Sequence, residues 1–113
     1  MTEDPKLLDE YTAFVERMWF SGKDKPLELG IAVAQLGMAG ETGEVTEIIK
    51  KYIRGDGFPD LNALKKELGD VIFYWTKIAN YFGISLEDII LTNMEKLSSR
   101  RDRGVLRGNG DNR

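Results

Sequence analysis

Two pairs of carboxylates, each with a spacing of i and i+3, constrain this chain more than any other feature. Glu41 and Glu44 form the first pair, and Glu67 and Asp70 form the second. At this spacing in an α-helix, both side chains lie on the same face, one turn apart. Two helices packed side by side would therefore bring four like charges to one place, where they repel each other. Because a hard divalent cation is the natural occupant of an all-oxygen cluster, the spacing predicts a site for Mg²⁺, with Mn²⁺ as the alternative.

The first pair lies on or beside a stripe that otherwise carries apolar side chains. Glu41 comes four residues before Val45 and seven before Ile48, which is helical spacing along one face. A carboxylate on such a stripe is costly unless something compensates its charge. Glycines at positions 37, 40 and 43 surround the pair, and each glycine inside a helix costs about 1 kcal/mol relative to alanine. They indicate close approach of a ligand or of another backbone. The alternative interpretation is tight helix packing through small residues, and the two interpretations are compatible.

Apolar residues recur at helical spacing in four segments, and no segment alternates as a strand does. The predicted helices run from about Pro5 to Phe20, from about Pro26 to Arg54, from about Leu61 to Phe82, and from just after Gly83 to about Asp102. Asp4, Asp60 and Ser85 are the predicted N-cap residues, and Leu29-Gly30 suggests a break in the second helix. The sequence thus predicts an all-α, four-helix bundle-like domain over residues 1–102, followed by a Gly-, Asn- and Arg-rich tail over residues 103–113.

The residue types that are missing restrict the chemistry of the chain. Its 113 residues include no cysteine and no histidine, so disulfides, thiolate nucleophiles, zinc–sulfur sites and Ser-His-Asp triads are excluded. A net charge of −3 offers no broad basic surface, so stable nucleic-acid binding is not expected. No apolar run reaches about 18 residues, and the first residues lack a signal-peptide pattern. We therefore expect a cytoplasmic protein that makes no membrane contact.

The third predicted helix is apolar on nearly all sides. Its run Val71-Ile72-Phe73-Tyr74-Trp75 leaves little polar surface, and such a helix must be covered on more than one side. The other three helices are too few to cover all of this apolar surface, and association of identical chains is the usual way to bury the remainder. The sequence therefore predicts a homodimer or homotetramer that assembles through its helices.

The order and spacing of these motifs resemble a known family. Gly40-Glu41-Thr42-Gly43-Glu44, Lys50-Lys51, Glu67-Leu68-Gly69-Asp70 and Asn93-x-x-Lys96 are similar to the motifs of the MazG family of nucleoside triphosphate pyrophosphohydrolases. The resemblance covers roughly Leu36 to Arg100, and the size resembles small single-domain members, including those of bacteriophages, which would act in the host cytoplasm. It implies an all-α fold and Mg²⁺-dependent cleavage of nucleoside or deoxynucleoside triphosphates between the α- and β-phosphates, giving a nucleoside monophosphate and pyrophosphate.

The resemblance also implies a role for each matching residue. The metal ligands would be Glu41, Glu44, Glu67 and Asp70. Either Glu41 or Glu44 would accept the proton of the attacking water. The residues that would contact the phosphates or border the nucleotide are Lys51, Tyr74, Asn93, Lys96 and Arg100. Glu47 lies four residues before Lys51, an ion-pair spacing that competes with a phosphate role for this lysine.

Two other functions remain open on the sequence. A metal-dependent helical module could bind nucleotides without hydrolysing them, or a purely structural bundle could carry the acids as surface charges. Four acids favour hydrolysis over binding alone, since fewer would hold one metal. Their apolar neighbours argue against surface charges.

Overall fold

The computed structural model describes residues 6–105, 107, 108 and 110, which form four α-helices and no strand. The helices are α1 (Leu7–Met18), α2 (Leu27–Ile53), α3 (Leu61–Tyr81) and α4 (Leu86–Asp102). The prediction of an all-α fold is therefore confirmed, and each helix end lies within about two residues of the predicted one. Within these described ranges, no helix has the length and apolar character needed to cross a membrane.

The helix starts follow the predicted caps where the structure describes them. The Asp60 carboxylate accepts hydrogen bonds from the backbone N–H groups two and three residues later, at 2.9 and 3.4 Å. Ser85 Oγ accepts one from the N–H three residues later, at 3.1 Å. Helix α1 begins at Leu7, and the predicted cap Asp4 and first helical residue Pro5 lie outside the described residues.

Helix α2 is continuous, so the predicted break at Leu29-Gly30 is wrong. The Gly30 N–H donates to the Pro26 carbonyl at 2.9 Å, which is the ordinary helical bond to the residue four before. Gly30 serves packing instead of ending a helix, because a Cβ at this position would overlap the Tyr81 hydroxyl of α3.

Helices α2 and α3 pack against each other along most of their length, in antiparallel directions, and form the main part of the fold. Two glycine–tyrosine contacts set their register: Tyr81 lies over Gly30, and Tyr74 lies over Gly37. Gly37 lies seven residues after Gly30 on α2, and Tyr74 lies seven residues before Tyr81 on α3. The two contacts are therefore two helical turns apart on each helix.

Helix α1 is held against α3 by a group of polar and aromatic contacts. The Lys77 ammonium donates to both carboxylate oxygens of Glu16 at 2.9 Å and lies 4.2 Å from the centroid of the Tyr81 ring. Asn80 Nδ2 donates to the same carboxylate at 2.8 Å, and Trp19 Nε1 donates to the Tyr81 hydroxyl at 3.1 Å. The sequence did not predict this contact, because the pattern of residues in α1 does not indicate which helix α1 packs against.

Little apolar surface is buried within one copy of the chain. Among the described residues, the buried apolar side chains are Val15, Trp19, Ala34, Ala79 and Leu86. On α3, a stripe spaced by seven residues stays 59, 45, 36 and 62 % exposed, at Leu61, Leu68, Trp75 and Phe82. Because a seven-residue apolar repeat is typical of helices that pack side by side, this α3 stripe is a candidate helix–helix interface.

Candidate metal centre

The register of α2 against α3 extends to the acid pairs. Glu41 lies one turn after Gly37 on α2, and Asp70 lies one turn before Tyr74 on α3. Because Tyr74 lies directly over Gly37, the next turn toward the interhelical loop brings Glu41 and Asp70 to the same level. The second acid of each pair follows within about one further turn.

Three of the four predicted metal ligands meet in the structure. Carboxylate oxygens of Glu41, Glu67 and Asp70 all lie within 4.8 Å of one another. Glu41 and Glu67 are half-buried between the helices, whereas Asp70 is exposed. The cluster is therefore held by packing on one side and accessible to an ion on the other.

The cluster concentrates the negative charge of several carboxylates in one place. Partial burial, a hydrogen bond with Glu67, and the charges of Asp70, Glu67 and Glu44 raise the pKa of Glu41 above its usual range. In the part of the chain that the structure describes, none of these four acids forms an ion pair with a lysine or arginine. Bringing a cation between the carboxylates would relieve this repulsion.

Glu44 lies at the edge of the cluster. It is exposed, and it is not among the three residues whose oxygens meet within 4.8 Å. Its charge nevertheless contributes to the raised pKa of Glu41, so the two carboxylates are within electrostatic reach. A direct bond from Glu44 to a metal stays a prediction.

The donor set fits a hard divalent cation. Carboxylate oxygens are the ligands that Mg²⁺ and Mn²⁺ prefer, and Mg²⁺ is commonly bound by one or two carboxylates together with water and substrate phosphates. Glu41, Glu67 and Asp70 can each offer one carboxylate oxygen, and these oxygens lie within 4.8 Å of one another. A cation held by them could still bind water or phosphate oxygens.

Comparison with protein families identifies the fold that carries this cluster. The model of the MazG nucleotide pyrophosphohydrolase domain matches residues 32–105, about two thirds of the chain. The chain belongs to the MazG family. The match spans all four acids and the whole of α3 and α4, and it confirms the resemblance seen in the motifs. MazG enzymes are generally dependent on divalent metals, in agreement with the acidic cluster.

Two known proteins are similar to this MazG chain. Gene 37 protein of Mycobacterium phage L5 is 40 % identical over 88 residues, which cover 74 % of this chain and 77 % of that protein. Uncharacterized protein YvdC of Bacillus subtilis (strain 168) is 33 % identical over 69 residues, which cover 53 % of this chain and 65 % of that protein. No solved structure matches the chain.

Helix α4 of this MazG chain carries three of the predicted phosphate contacts. Asn93 is exposed and Lys96 is half-buried, and both line a shallow pocket. Arg100 is buried, and its Nη2 donates to the Gly110 carbonyl at 3.4 Å, so the guanidinium contacts the tail. Within one copy, α4 packs mainly on α1, whereas the acids lie on α2 and α3. Phosphate binding by these three residues stays a prediction.

Lys51 is exposed near the end of α2. The predicted ion pair between Glu47 and Lys51 is wrong, because Glu47 pairs with Lys50 at 3.1 Å instead. In the described ranges Lys51 therefore has no acid that competes with a phosphate. Tyr74 is half-buried and its ring packs over Gly37. Contacts of Lys51 and Tyr74 with a nucleotide stay predictions.

Tyr11 of α1 is a neighbour of the cluster that the sequence analysis did not select. Burial and the charge of Asp70 raise the pKa of Tyr11, and Tyr11 lines the same groove as Gly69, the residue before Asp70. This open apolar groove of about 650 Å³ lies between α1, α3 and α4, and Ile72 and Trp75 also line it. In the sequence, the Tyr11 hydroxyl on the apolar stripe of α1 was the one indication of such a role. No sequence pattern shows where α1 crosses α3.

Proposed function

We propose that this MazG chain is a Mg²⁺-dependent nucleoside triphosphate pyrophosphohydrolase that also accepts Mn²⁺. The observation that carries the proposal is the convergence of Glu41, Glu67 and Asp70 within 4.8 Å, inside the region that matches the family. The proposed substrate is a nucleoside or deoxynucleoside triphosphate, and the proposed products are a nucleoside monophosphate and pyrophosphate. The proposed location is the cytoplasm.

The acids of α2 and α3 would hold the metal. When bound, a divalent cation neutralises the oxygens of a triphosphate and lowers the pKa of neighbouring water. In the hydrolysis, a water oxygen forms a bond to the α-phosphorus, and the bond from that phosphorus to the α,β-bridging oxygen breaks. Pyrophosphate leaves with the bonding electrons.

Glu44 is our choice for the proton acceptor. It is exposed and stands outside the group of three carboxylates, so its lone pairs are not all committed to a metal. Glu41 lies against Glu67 in the middle of the cluster, where it is better placed as a ligand. Lys51, Asn93, Lys96 and Arg100 are the proposed phosphate contacts, and Tyr74 is the proposed neighbour of the nucleotide. A lysine provides a point charge and an arginine a planar fork for phosphate oxygens.

The active form is proposed to be a homodimer or homotetramer. The support is the α3 stripe, whose Leu61 and Phe82 are 59 and 62 % exposed in a single copy. Exposed apolar surface of this kind marks protein interfaces, and symmetric homo-oligomers are the commonest way to bury it.

Incubation with a panel of NTPs and dNTPs and Mg²⁺, with products separated by anion-exchange chromatography, tests the proposed reaction. We expect a monophosphate and pyrophosphate, no reaction in EDTA, and recovery with Mn²⁺. A Glu67→Gln preparation, purified in the same way, controls for contaminating phosphatases. Release of a diphosphate and orthophosphate would contradict cleavage at the α-phosphorus, and tight nucleotide binding without any product would favour the non-catalytic module.

A further inference from the structure

We propose that Gly37 and Tyr74 are positioning residues that set the separation of α2 and α3 at the acidic cluster. The inference rests on the proposed function, because it concerns how the metal ligands are held. Neither residue touches the metal in this proposal, and each acts through the acid one turn away.

The first observation is how closely Gly37 and Tyr74 approach. A Cβ placed on Gly37 would overlap the Cδ1, Cε1 and Cζ atoms of the Tyr74 ring, all closer than real Cβ atoms come to their neighbours. The ring thus occupies the space that any other residue at position 37 would need. By contrast, a Cβ on Gly40 would meet nothing within 4 Å, so this steric requirement for glycine applies at Gly37 and not at Gly40.

The second observation is that the Tyr74 ring is confined by its neighbours. It packs edge-on against Trp19, with ring centroids 6.2 Å apart, and edge-on against Phe73 at 5.4 Å. Trp19 is itself buried and is hydrogen-bonded to Tyr81. Since these neighbours limit how far the ring can move, we expect a methyl group on residue 37 to push α2 and α3 apart by up to about 1 Å before ordinary contact is restored.

The third observation is the position of this contact relative to the metal ligands. Gly37 lies one turn from Glu41, and Tyr74 lies one turn from Asp70. The oxygens of these two acids and of Glu67 now lie within 4.8 Å of one another. Mg²⁺ requires oxygens at about 2.0–2.1 Å in near-ideal octahedral geometry, so a separation of this size would spoil the site.

Gly30 and Tyr81 provide a matched control within the same helix pair. A Cβ on Gly30 would overlap the Tyr81 hydroxyl, so the same kind of crowding arises at the same interface. Gly30 is 11 residues from Glu41, which is about 16 Å along the helix axis. A Gly30→Ala change should therefore disturb helix packing without reaching the acids.

Isothermal titration calorimetry with Mg²⁺ alone tests the proposal, on variants shown to be folded by circular dichroism at the same temperature. We expect Gly37→Ala to weaken Mg²⁺ binding roughly 10- to 100-fold, as for other residues that orient metal ligands. Gly30→Ala should change it by no more than about twofold, because distant sites act independently. The double variant Gly37→Ala/Tyr74→Leu should recover most of the affinity, because the smaller side chain makes room for the new methyl group.

Equal Mg²⁺ affinities for the wild type and Gly37→Ala, or equal losses in Gly37→Ala and Gly30→Ala, would overturn the positioning role. A crystal structure of Gly37→Ala provides a readout that needs no metal, and we expect the carboxylates of Glu41 and Asp70 to lie farther apart than in the wild type. A wild-type protein that does not bind Mg²⁺ would overturn the proposed function, whereas unchanged carboxylate distances in the variant would overturn this inference alone.

Discussion

Lys77 of α3 and Glu16 of α1 form an ion pair in which the ammonium lies 2.9 Å from each of the two carboxylate oxygens. The Lys77 side chain is 7 % exposed and that of Glu16 is 50 % exposed. The rings of Trp19 and Tyr81 cover the ammonium at 5.3 and 4.2 Å from their centroids. The pair is the main polar link between α1 and α3. Removing Glu16 would leave a buried charge without its partner, whereas removing Lys77 would leave a charge that water can solvate.

Loss of Glu16 should be more harmful than loss of Lys77. Glu16→Ala leaves a buried ammonium without its partner, and we expect a cost on the order of 2 kcal/mol, below that of a fully buried pair because Glu16 is half-exposed. Lys77→Met keeps an apolar chain between the rings and leaves a carboxylate that water can solvate. Urea unfolding of both variants checks this order, which would be contradicted if Lys77→Met proved the less stable of the two.

The same ion pair predicts a pH dependence of stability. Burial alone would raise the pKa of Glu16, but the hydrogen bonds from Lys77 and Asn80 outweigh it and lower the pKa below its usual value of 4.5. Because the folded-state pKa is depressed, the stabilisation is present above pH 4.5 and is lost as the pH falls through the folded-state value. The difference in unfolding free energy between wild type and Glu16→Gln should therefore be constant near pH 7 and shrink below pH 4.5. A difference that grew on acidification would have the wrong sign.

Glu41→Gln should stabilise the metal-free protein and abolish its response to Mg²⁺. Because partial burial and the neighbouring acids raise the pKa of Glu41, the ionised side chain is disfavoured in the folded state, and removing its charge should raise the Tm of the metal-free protein at pH 7. Thermal unfolding with and without Mg²⁺ measures both effects. Glu47→Gln is the matched control, because this acid of the same helix pairs with Lys50 outside the cluster. A Mg²⁺-dependent rise in Tm that survived in Glu41→Gln would remove this residue from the site.

Phosphate binding by α4 and proton transfer by α2 should be separable by mutation. If Lys96 holds the triphosphate, Lys96→Ala should lower kcat/KM about 10- to 100-fold through the lost charge-assisted contact, while Mg²⁺ affinity without nucleotide stays unchanged. Glu44→Gln should instead lower kcat, because it removes the proposed proton acceptor. Steady-state kinetics and calorimetry on both variants test the split, with the exposed Lys23→Ala as a control. Unaltered kinetics in Lys96→Ala would exclude α4 from the active site.

The α3 stripe should control assembly. We expect light scattering at micromolar concentration to give a dimer or tetramer of the 12.8 kDa chain. Leu68→Lys combined with Trp75→Lys places two charges on the exposed stripe and should shift the protein to a monomer, because burying unpaired charges opposes association. Lys65→Ala, on the same helix but at a polar position, should leave the mass unchanged. A wild-type chain that is already monomeric would contradict the proposed assembly.

The four helices and the acid pairs were predictable because they depend on short-range chemistry. Helical spacing of apolar residues follows from the backbone period, and caps such as Asp60 and Ser85 satisfy N–H groups only two or three residues away. A spacing of i and i+3 places the two acids of each pair on one helix face whatever surrounds them. The convergence of Glu41 with Asp70 needed only the further step of an antiparallel pairing of consecutive helices.

Tertiary structure alone decided the details that depend on distances between helices. It brought carboxylate oxygens of Glu41, Glu67 and Asp70 within 4.8 Å of one another and left Glu44 outside this group. It also docked α1 on α3 through Lys77, since a buried lysine and its partner are 61 residues apart in the chain. Helix propensity and periodicity describe each helix by itself, whereas these contacts depend on how side chains of different helices fit together in space. For this reason the sequence predicted the candidate metal ligands, and packing decided which of them meet.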